Sequence, residues 1–83
     1  MKVIAYSKQA VKALRRMPVT DAQRIMAKIS QFAENTASLA NNVKALAGSP
    51  YLRLRVGDWR VIMDDQGRVL EILKIAAQGS IYE

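Results

Sequence analysis

Between residues 51 and 64, arginine alternates with aliphatic residues on both sides of a Gly57-Asp58 turn. Successive side chains on a strand point to opposite faces, so this spacing predicts a β-hairpin with one apolar and one basic face. The basic face is predicted to carry these side chains: Tyr51, Arg53, Arg55, Trp59 and Arg60. Guanidinium groups match the geometry of phosphate, and aromatic rings stack on bases. The pattern therefore indicates a polyanion with exposed bases, and RNA is the first partner to consider.

The composition narrows the chemistry that the chain can perform. Its 83 residues suffice for one domain, expected to span positions 1–83, and a hydrophobic content of 51% predicts that this domain folds. Cysteine and histidine do not occur in the sequence. We therefore expect no disulfide, no metal ion and no cofactor. No apolar run approaches the roughly 18 residues that span a bilayer, so a cytoplasmic protein without a membrane partner is the simplest expectation.

Positive charge is concentrated in the first part of the chain. Thirteen lysine and arginine residues against seven aspartate and glutamate residues give a formal net charge of +6. Eight basic and two acidic residues lie before position 51, and five of each follow. Basic surfaces attract nucleic acid, anionic membranes or acidic proteins, and net charge alone does not distinguish these partners.

The first half of the sequence predicts one strand and two helices. Residues 2–6 are a short apolar run, and Ser7 is placed to cap a helix whose apolar spacing continues over 8–17. Residues 20–23 have the form of a capping box, which predicts a second helix over 21–34. Two helices with so short a link pack as an antiparallel hairpin, which can cover one face of a sheet.

The second half predicts a loop followed by three strands. Residues 36–50 are rich in Ala, Ser, Asn and Gly, which indicates a loop, with a helical turn around 43–46. The strands are predicted at 51–56, 59–64 and 68–76. The expected fold class is α+β in the order β-α-α-β-β-β, with an antiparallel sheet and the helical hairpin on one face. The first strand is free to pair at an edge or beside the last.

Four segments of the sequence carry a family resemblance. The most specific is 52–62, L-R-L-R-V-G-D-W-R-V-I; the others are Tyr6-Ser7, the K-A-L-A-G run at 44–48, and Ile81-Tyr82. Together they resemble the RelE/ParE superfamily of toxins from type II toxin–antitoxin systems, which commonly show L-R-V-G-D-Y/W-R-V in the hairpin. The resemblance covers nearly the whole chain. It implies a RelE-like domain with the activity of a ribosome-dependent endoribonuclease that cuts mRNA in the A site. It also implies a co-expressed antitoxin that wraps around the toxin and neutralises it.

RNA cleavage by attack of a 2′-OH on the adjacent phosphorus needs a base, an acid and stabilisation of charge on the phosphorane. RelE-like enzymes meet this need with lysine, arginine and tyrosine. The resemblance implies that Arg53 and Arg60 bind the phosphate and the transition state. It makes Tyr82 the terminal tyrosine near the reacting groups. Lys44 and Arg55 are the supporting RNA-binding candidates.

One position departs from the family pattern. Many relatives have an arginine four residues before the final tyrosine, where this chain has Gln78. Glutamine donates a hydrogen bond but supplies no charge, so we expect the ~10²–10³-fold loss that is typical of removing one well-placed donor. Either the protein is a naturally weakened enzyme, or Gln78 stands where an arginine was changed so that a toxic protein could be produced.

Two other functions stay open. A ParE-like poison of DNA gyrase shares the fold but acts on a protein, and a non-catalytic module would bind only RNA or an antitoxin. The arginine-bearing hairpin and Tyr82 favour RNA cleavage, whereas Gln78 and the absence of histidine weaken it. The residues also have simpler interpretations: Arg53 and Arg55 as a solvated sheet face, Trp59 as a core or antitoxin contact, and the helical cations as a solvated surface.

Overall fold

The helices and strands follow the predicted order, with one additional strand. The computed structural model describes residues 2–39 and 41–78. Its elements are β1 (Val3–Tyr6), α1 (Lys8–Arg16), α2 (Val19–Glu34), a 3-10 turn (Thr36–Leu39), β2 (Val43–Ala45), β3 (Leu52–Val56), β4 (Trp59–Asp65) and β5 (Val69–Ala77). Neither helix in these two ranges is long and apolar enough to cross a lipid bilayer.

The five strands form one mixed sheet in the order β1-β5-β4-β3-β2. The pairs β2–β3, β3–β4 and β4–β5 are antiparallel, but β1 runs parallel to β5 at the edge of the sheet. The antiparallel sheet expected from the sequence is therefore corrected to a mixed one. The physical reason is that α1 and α2 separate β1 from the other strands along the chain. A parallel pair of strands needs a crossover connection of this kind.

Residues 43–45 form the edge strand β2, so the helical turn predicted at 43–46 is wrong. Val43 pairs with Leu54, and Lys44 pairs with Arg53. Pairing with β3 overrides the weak local preference of this Ala- and Asn-rich segment. The added strand places Lys44 directly beside the arginines of the hairpin.

Side chains at the start of α1 attach this helix to β5. The prediction that Ser7 caps α1 is confirmed, because the backbone N–H of Ala10 donates to Ser7 Oγ at 3.0 Å. The same hydroxyl donates to the carbonyl of Leu73 at 2.7 Å. The Gln9 amide donates to the carbonyl of Ile75 at 3.1 Å and accepts from its N–H at 2.9 Å. These contacts bond the start of α1 to the edge of β5 beyond the end of β1.

The start of α2 differs from the predicted capping box. The helix begins at Val19 with Pro18 at the N-cap, and no side chain caps it. Proline has a fixed φ and lacks an N–H, so it suits a position where the helix leaves donors unpaired. Asp21 lies in the first turn of α2 and instead accepts a hydrogen bond from the indole of Trp59 at 3.3 Å.

The core lies between the two helices and one face of the sheet. The apolar alternation of the hairpin is confirmed at Leu54, Val56 and Val61, which are buried against helical residues that include Ile25 and Ile29. Burial of one such side chain contributes about 1.5–3 kcal/mol to folding. No helix of the described residues covers the opposite face of β3 and β4. That open face carries the arginines.

Candidate nucleic-acid interface

A cleft of about 200 Å³ lies on the open face of the sheet. The described residues of its lining are two amides and four cations: Asn41, Asn42, Lys44, Arg53, Arg55 and Arg60. We call it the basic cleft. Residues from β2, β3 and β4 meet there because these strands are neighbours in the sheet. Four cations, with no carboxylate among the lining residues that the structure describes, make this surface suited to a phosphate group.

Cross-strand register sets the spacing of the cations in the basic cleft. Lys44 is directly opposite Arg53, and Arg55 is directly opposite Arg60. Like charges in directly opposed positions destabilise a sheet. A bound anion would relieve this repulsion, so the arrangement gives up some stability of the free protein and favours the anion complex.

The three hairpin arginines differ in exposure. Arg53 is half-buried and Arg55 is exposed, and both lie on the face opposite the core, as the alternation predicted. Arg60 was expected on an exposed face, but only 8% of its surface is accessible. Its Nη1 donates to the carbonyl of Gly57 at 3.1 Å and to that of Trp59 at 3.0 Å. The guanidinium is therefore bonded to the backbone of the hairpin turn.

Trp59 lies on the helix side of the sheet, not beside the guanidinium groups. It pairs with Val56, is half-buried and packs against the hydrophobic core. The prediction that it shares the basic face is wrong, because the alternation of β4 sends residues 59 and 60 to opposite faces. Its simpler interpretation as a core residue is the one that the packing supports. Tyr51, which is 38% exposed, is the aromatic candidate that remains near the arginines.

The end of β5 brings residue 78 to the hairpin turn. The backbone N–H of Gln78 donates to the carbonyl of Asp58 at 2.8 Å, and the Gln78 side chain is exposed. Ala76, two residues earlier, pairs with Arg60. Gln78 thus lies beside the part of the basic cleft that Arg60 forms. Tyr82 lies outside the described residues.

The sequence reasoning missed three residues of this surface. Asn41 and Asn42 line the basic cleft because the segment before β2 runs along β3, where the N–H of Arg55 donates to the carbonyl of Asn42 at 2.9 Å. Lys74 lies in the same cross-strand row as Arg53, since Ile62 pairs with both. Counting alternate residues along β5 from Ala76 would have identified Lys74.

Acidic groups occupy a separate part of the open face. Asp64 pairs with Glu71, and the Gln66 amide donates to Asp64 Oδ2 at 3.0 Å and to Glu71 Oε2 at 3.3 Å. An incoming polyanion is thereby directed toward the basic end of the sheet. Burial raises the pKa of Tyr6, and this residue lies on the helix side, so it does not provide a base to the basic cleft.

Comparisons with known proteins place this fold among toxins. A family model described as the ParE toxin of type II toxin–antitoxin systems, parDE, matches residues 4–82. Among curated proteins, none matches the chain in sequence.

Solved structures give the same fold. A chain of the RelE–RelB complex from Pyrococcus horikoshii OT3 is 27% identical, with a TM-score of 0.78 and coverage of 95% of this chain and 97% of that chain. A chain of the RelB–RelE complex from Methanococcus jannaschii is 25% identical, with a TM-score of 0.76 and 95% coverage of both chains. A mutant E. coli RelE in the free state is 17% identical, with a TM-score of 0.73 and coverage of 98% of this chain and 87% of that chain. At this identity the similarity supports the fold alone. The chain belongs to the ParE toxin family of type II toxin–antitoxin systems, within the RelE/ParE superfamily.

Proposed function

We propose that this toxin is an endoribonuclease of RelE type that cleaves mRNA on the ribosome. Its cleavage rate is lowered because Gln78 stands where many relatives have an arginine. The observation that carries the proposal is the convergence of four cations from three adjacent strands in one cleft on the open face of the sheet. A ribonuclease must hold a phosphate and stabilise the additional negative charge that develops on it. The basic cleft has the charge and the exposure for both tasks.

The proposed roles follow from the depth of each side chain. Arg55 and Lys44 are exposed at the rim and would bind the RNA backbone on either side of the reacting phosphate. Arg53 and the buried Arg60 would face the phosphorane oxygens. A guanidinium held by the protein needs little reorganisation as charge develops, which makes it effective in the transition state. Tyr82 keeps the role that the family pattern implies, near the reacting groups.

The lining of the basic cleft gives a physical reason for dependence on the ribosome. Within residues 2–39 and 41–78 it contains cations and amides but no carboxylate, and the sequence has no histidine. The toxin therefore contributes mainly electrostatic stabilisation, and alignment of the 2′-OH with the scissile bond must come from elsewhere. An mRNA held in a fixed conformation on the ribosome would supply that alignment, and orientation of this kind is worth up to roughly 7–11 kcal/mol.

A second function is inhibition of DNA gyrase. It is favoured by the family model, whose description names ParE. In that case the basic face would contact a protein or its bound DNA, and no RNA bond would break.

Two parallel assays distinguish these functions. Ribosomes programmed with a defined mRNA are incubated with the protein, and primer extension detects new 5′ ends; a supercoiling assay with purified gyrase is run beside it. We expect codon-dependent cleavage that disappears when ribosomes are omitted. Arg68→Ala serves as the matched control, because Arg68 is exposed in the turn before β5, away from the basic cleft. Loss of supercoiling without RNA cleavage would establish the gyrase function instead.

We also propose that a cognate antitoxin covers α1. The solved RelE structures from P. horikoshii and M. jannaschii are complexes with RelB. On this chain, two apolar grooves flank α1, one lined by Tyr6 and Val11 and the other by Ala13, Met17 and Trp59. Exposed cations border them: Lys8, Lys12, Arg15 and Arg16. None of these four pairs with a carboxylate within residues 2–39 and 41–78. Apolar grooves with basic borders fit an acidic amphipathic segment.

Lys12 gives the sharpest test of this antitoxin surface, because it borders both grooves. Lys12→Glu is expected to weaken binding of the proposed acidic antitoxin, to be sought in the adjacent reading frame, by about tenfold or more, since like charges then face each other across the interface. Titration calorimetry of the purified pair measures the change. Arg68→Glu makes the same charge change away from both grooves and is expected to leave the affinity unaltered. Equal affinities for Lys12→Glu and the unmodified toxin would place the antitoxin elsewhere.

A further inference from the structure

The hairpin turn between β3 and β4 is held from both faces of the sheet. On the open face, Nη1 of Arg60 donates to the carbonyls of Gly57 and Trp59. On the helix side, the indole Nε1 of Trp59 donates to Oδ2 of Asp21 at 3.3 Å. Asp21 is half-buried in the first turn of α2, where the helix dipole favours a carboxylate.

Trp59 takes part in the contacts on both faces of the sheet and so connects Asp21 to Arg60. Its side chain is tied to α2, and its backbone carbonyl accepts the hydrogen bond from Arg60. The guanidinium of Arg24 also lies close to this turn. If Gly57 carried a Cβ atom, Nη1 of Arg24 would be 3.6 Å from it. Gly57 itself has a φ of +58°, which fixes the tight reversal of the chain.

The basic cleft needs such support because its described lining holds three further cations and no carboxylate that would attract the Arg60 guanidinium. Arg55 lies directly opposite Arg60 and repels it. The orientation of Arg60 therefore depends on the two backbone carbonyls of the turn. Those carbonyls stay in place only while the turn itself is held.

We propose that Asp21 and Trp59 are positioning residues, which fix the Arg60 guanidinium in the basic cleft from the opposite face of the sheet. The catalytic consequence rests on the proposed ribonuclease function, but the effect on phosphate binding does not. Asp21 belongs to a helix that forms no part of the cleft lining. It acts on the cleft only through the Trp59 indole and the turn.

The test compares three variants of the full chain by fluorescence anisotropy with a short fluorescein-labelled oligouridylate. Asp21→Ala removes the acceptor, Trp59→Phe removes the donor and keeps an aromatic ring, and Asp21→Asn keeps an acceptor oxygen. The first two are expected to weaken RNA binding by about fivefold, the equivalent of one hydrogen bond worth about 1 kcal/mol, and Asp21→Asn is expected to restore most of the affinity. Loss of a carboxylate alone would strengthen binding of an anion, so weakening by Asp21→Ala has the opposite sign from a simple charge effect.

Asp58→Ala is the matched control for charge. Asp58 is exposed in the same turn, and its side chain makes no hydrogen bond to another described residue. Its removal is expected to leave RNA affinity equal or slightly increased. If Asp21→Ala behaves like Asp58→Ala, the proposal is overturned.

A double-mutant cycle separates positioning from general stability. In an Arg60→Ala background, Asp21→Ala is expected to have no further effect on RNA affinity, whereas in an Arg55→Ala background it keeps its full effect. Equal losses in both backgrounds would show that Asp21 has only a structural role. Solvent exchange of the Arg60 side-chain N–H groups, followed by NMR without RNA, provides an independent measurement. Faster exchange in Asp21→Ala and Trp59→Phe but not in Asp21→Asn supports the proposal, and unchanged exchange refutes it, whether or not the protein cleaves mRNA.

Discussion

Gln78→Arg is expected to raise ribosome-dependent mRNA cleavage by roughly 10²–10³-fold, the effect of one well-placed donor in the transition state. The backbone N–H of Gln78 donates to the carbonyl of Asp58, which holds residue 78 at the hairpin turn. Residue 78 also follows by two positions Ala76, the cross-strand partner of Arg60. An arginine there would extend from an exposed position toward the end of the basic cleft formed by Arg60. It would add a fixed positive charge where the phosphorane gains negative charge.

Growth after induction and primer extension on programmed ribosomes compare Gln78→Arg with the unmodified toxin. Gln23→Arg is the matched control, because Gln23 is exposed on α2 and the substitution adds the same charge away from the basic cleft. Gln78→Met keeps the approximate size of the side chain and removes its hydrogen-bond donor, so it is expected to lower any residual cleavage. If Gln78→Arg folds and leaves growth and cleavage unchanged, the family pattern does not describe this site, and gyrase inhibition or binding alone becomes the better proposal.

The sequence predicted those parts of the fold that depend on local periodicity. Alternation in 52–56 placed Leu54 and Val56 in the core, and the spacing of apolar residues gave α1 to within one residue of its end. β2 could not be predicted, because a strand of three residues exists only through pairing with β3. The two helices that form the crossover were predicted, but the parallel pairing of β1 with β5 joins residues more than 60 positions apart and is not encoded by local patterns.

For the candidate site, the sequence identified which residues are charged but not how deep they lie. Alternation places Arg60 on the open face of the sheet, but the side chain is buried and its guanidinium bonds to the backbone of the hairpin turn, which local periodicity does not indicate. Trp59 was assigned to the wrong face, because the motif places it between charged residues without marking the strand register. The link from Asp21 to Trp59 spans 38 residues of sequence, so no local pattern indicates it.

The difference in depth between Arg53 and Arg60 predicts that their substitutions have separable effects. Both Arg53→Ala and Arg60→Ala are expected to lower mRNA cleavage by roughly 10²–10³-fold, because each removes a cation proposed to face the phosphorane. Arg53 is less buried than Arg60 and lies directly opposite Lys44, so its loss is expected to lower thermal stability less than the loss of Arg60 does. Arg60→Ala removes two hydrogen bonds from a buried guanidinium to the turn.

Loss of the Arg60 contacts is therefore expected to cost about 2 kcal/mol of unfolding free energy and to lower Tm by about 10 °C. Calorimetry of Arg53→Ala and Arg60→Ala measures the difference in Tm, with Arg68→Ala as the control for loss of a remote exposed cation.

Arg60→Lys is the informative conservative change. In the guanidinium, Nη1 reaches two carbonyls while the other N–H groups can still face a phosphate. An ammonium group keeps the charge but lacks this planar arrangement of donors. We expect it to recover part of the stability and little of the cleavage. Full cleavage by Arg60→Lys would show that the basic cleft needs only charge at this position, and that the geometry imposed by the turn is dispensable for the reaction.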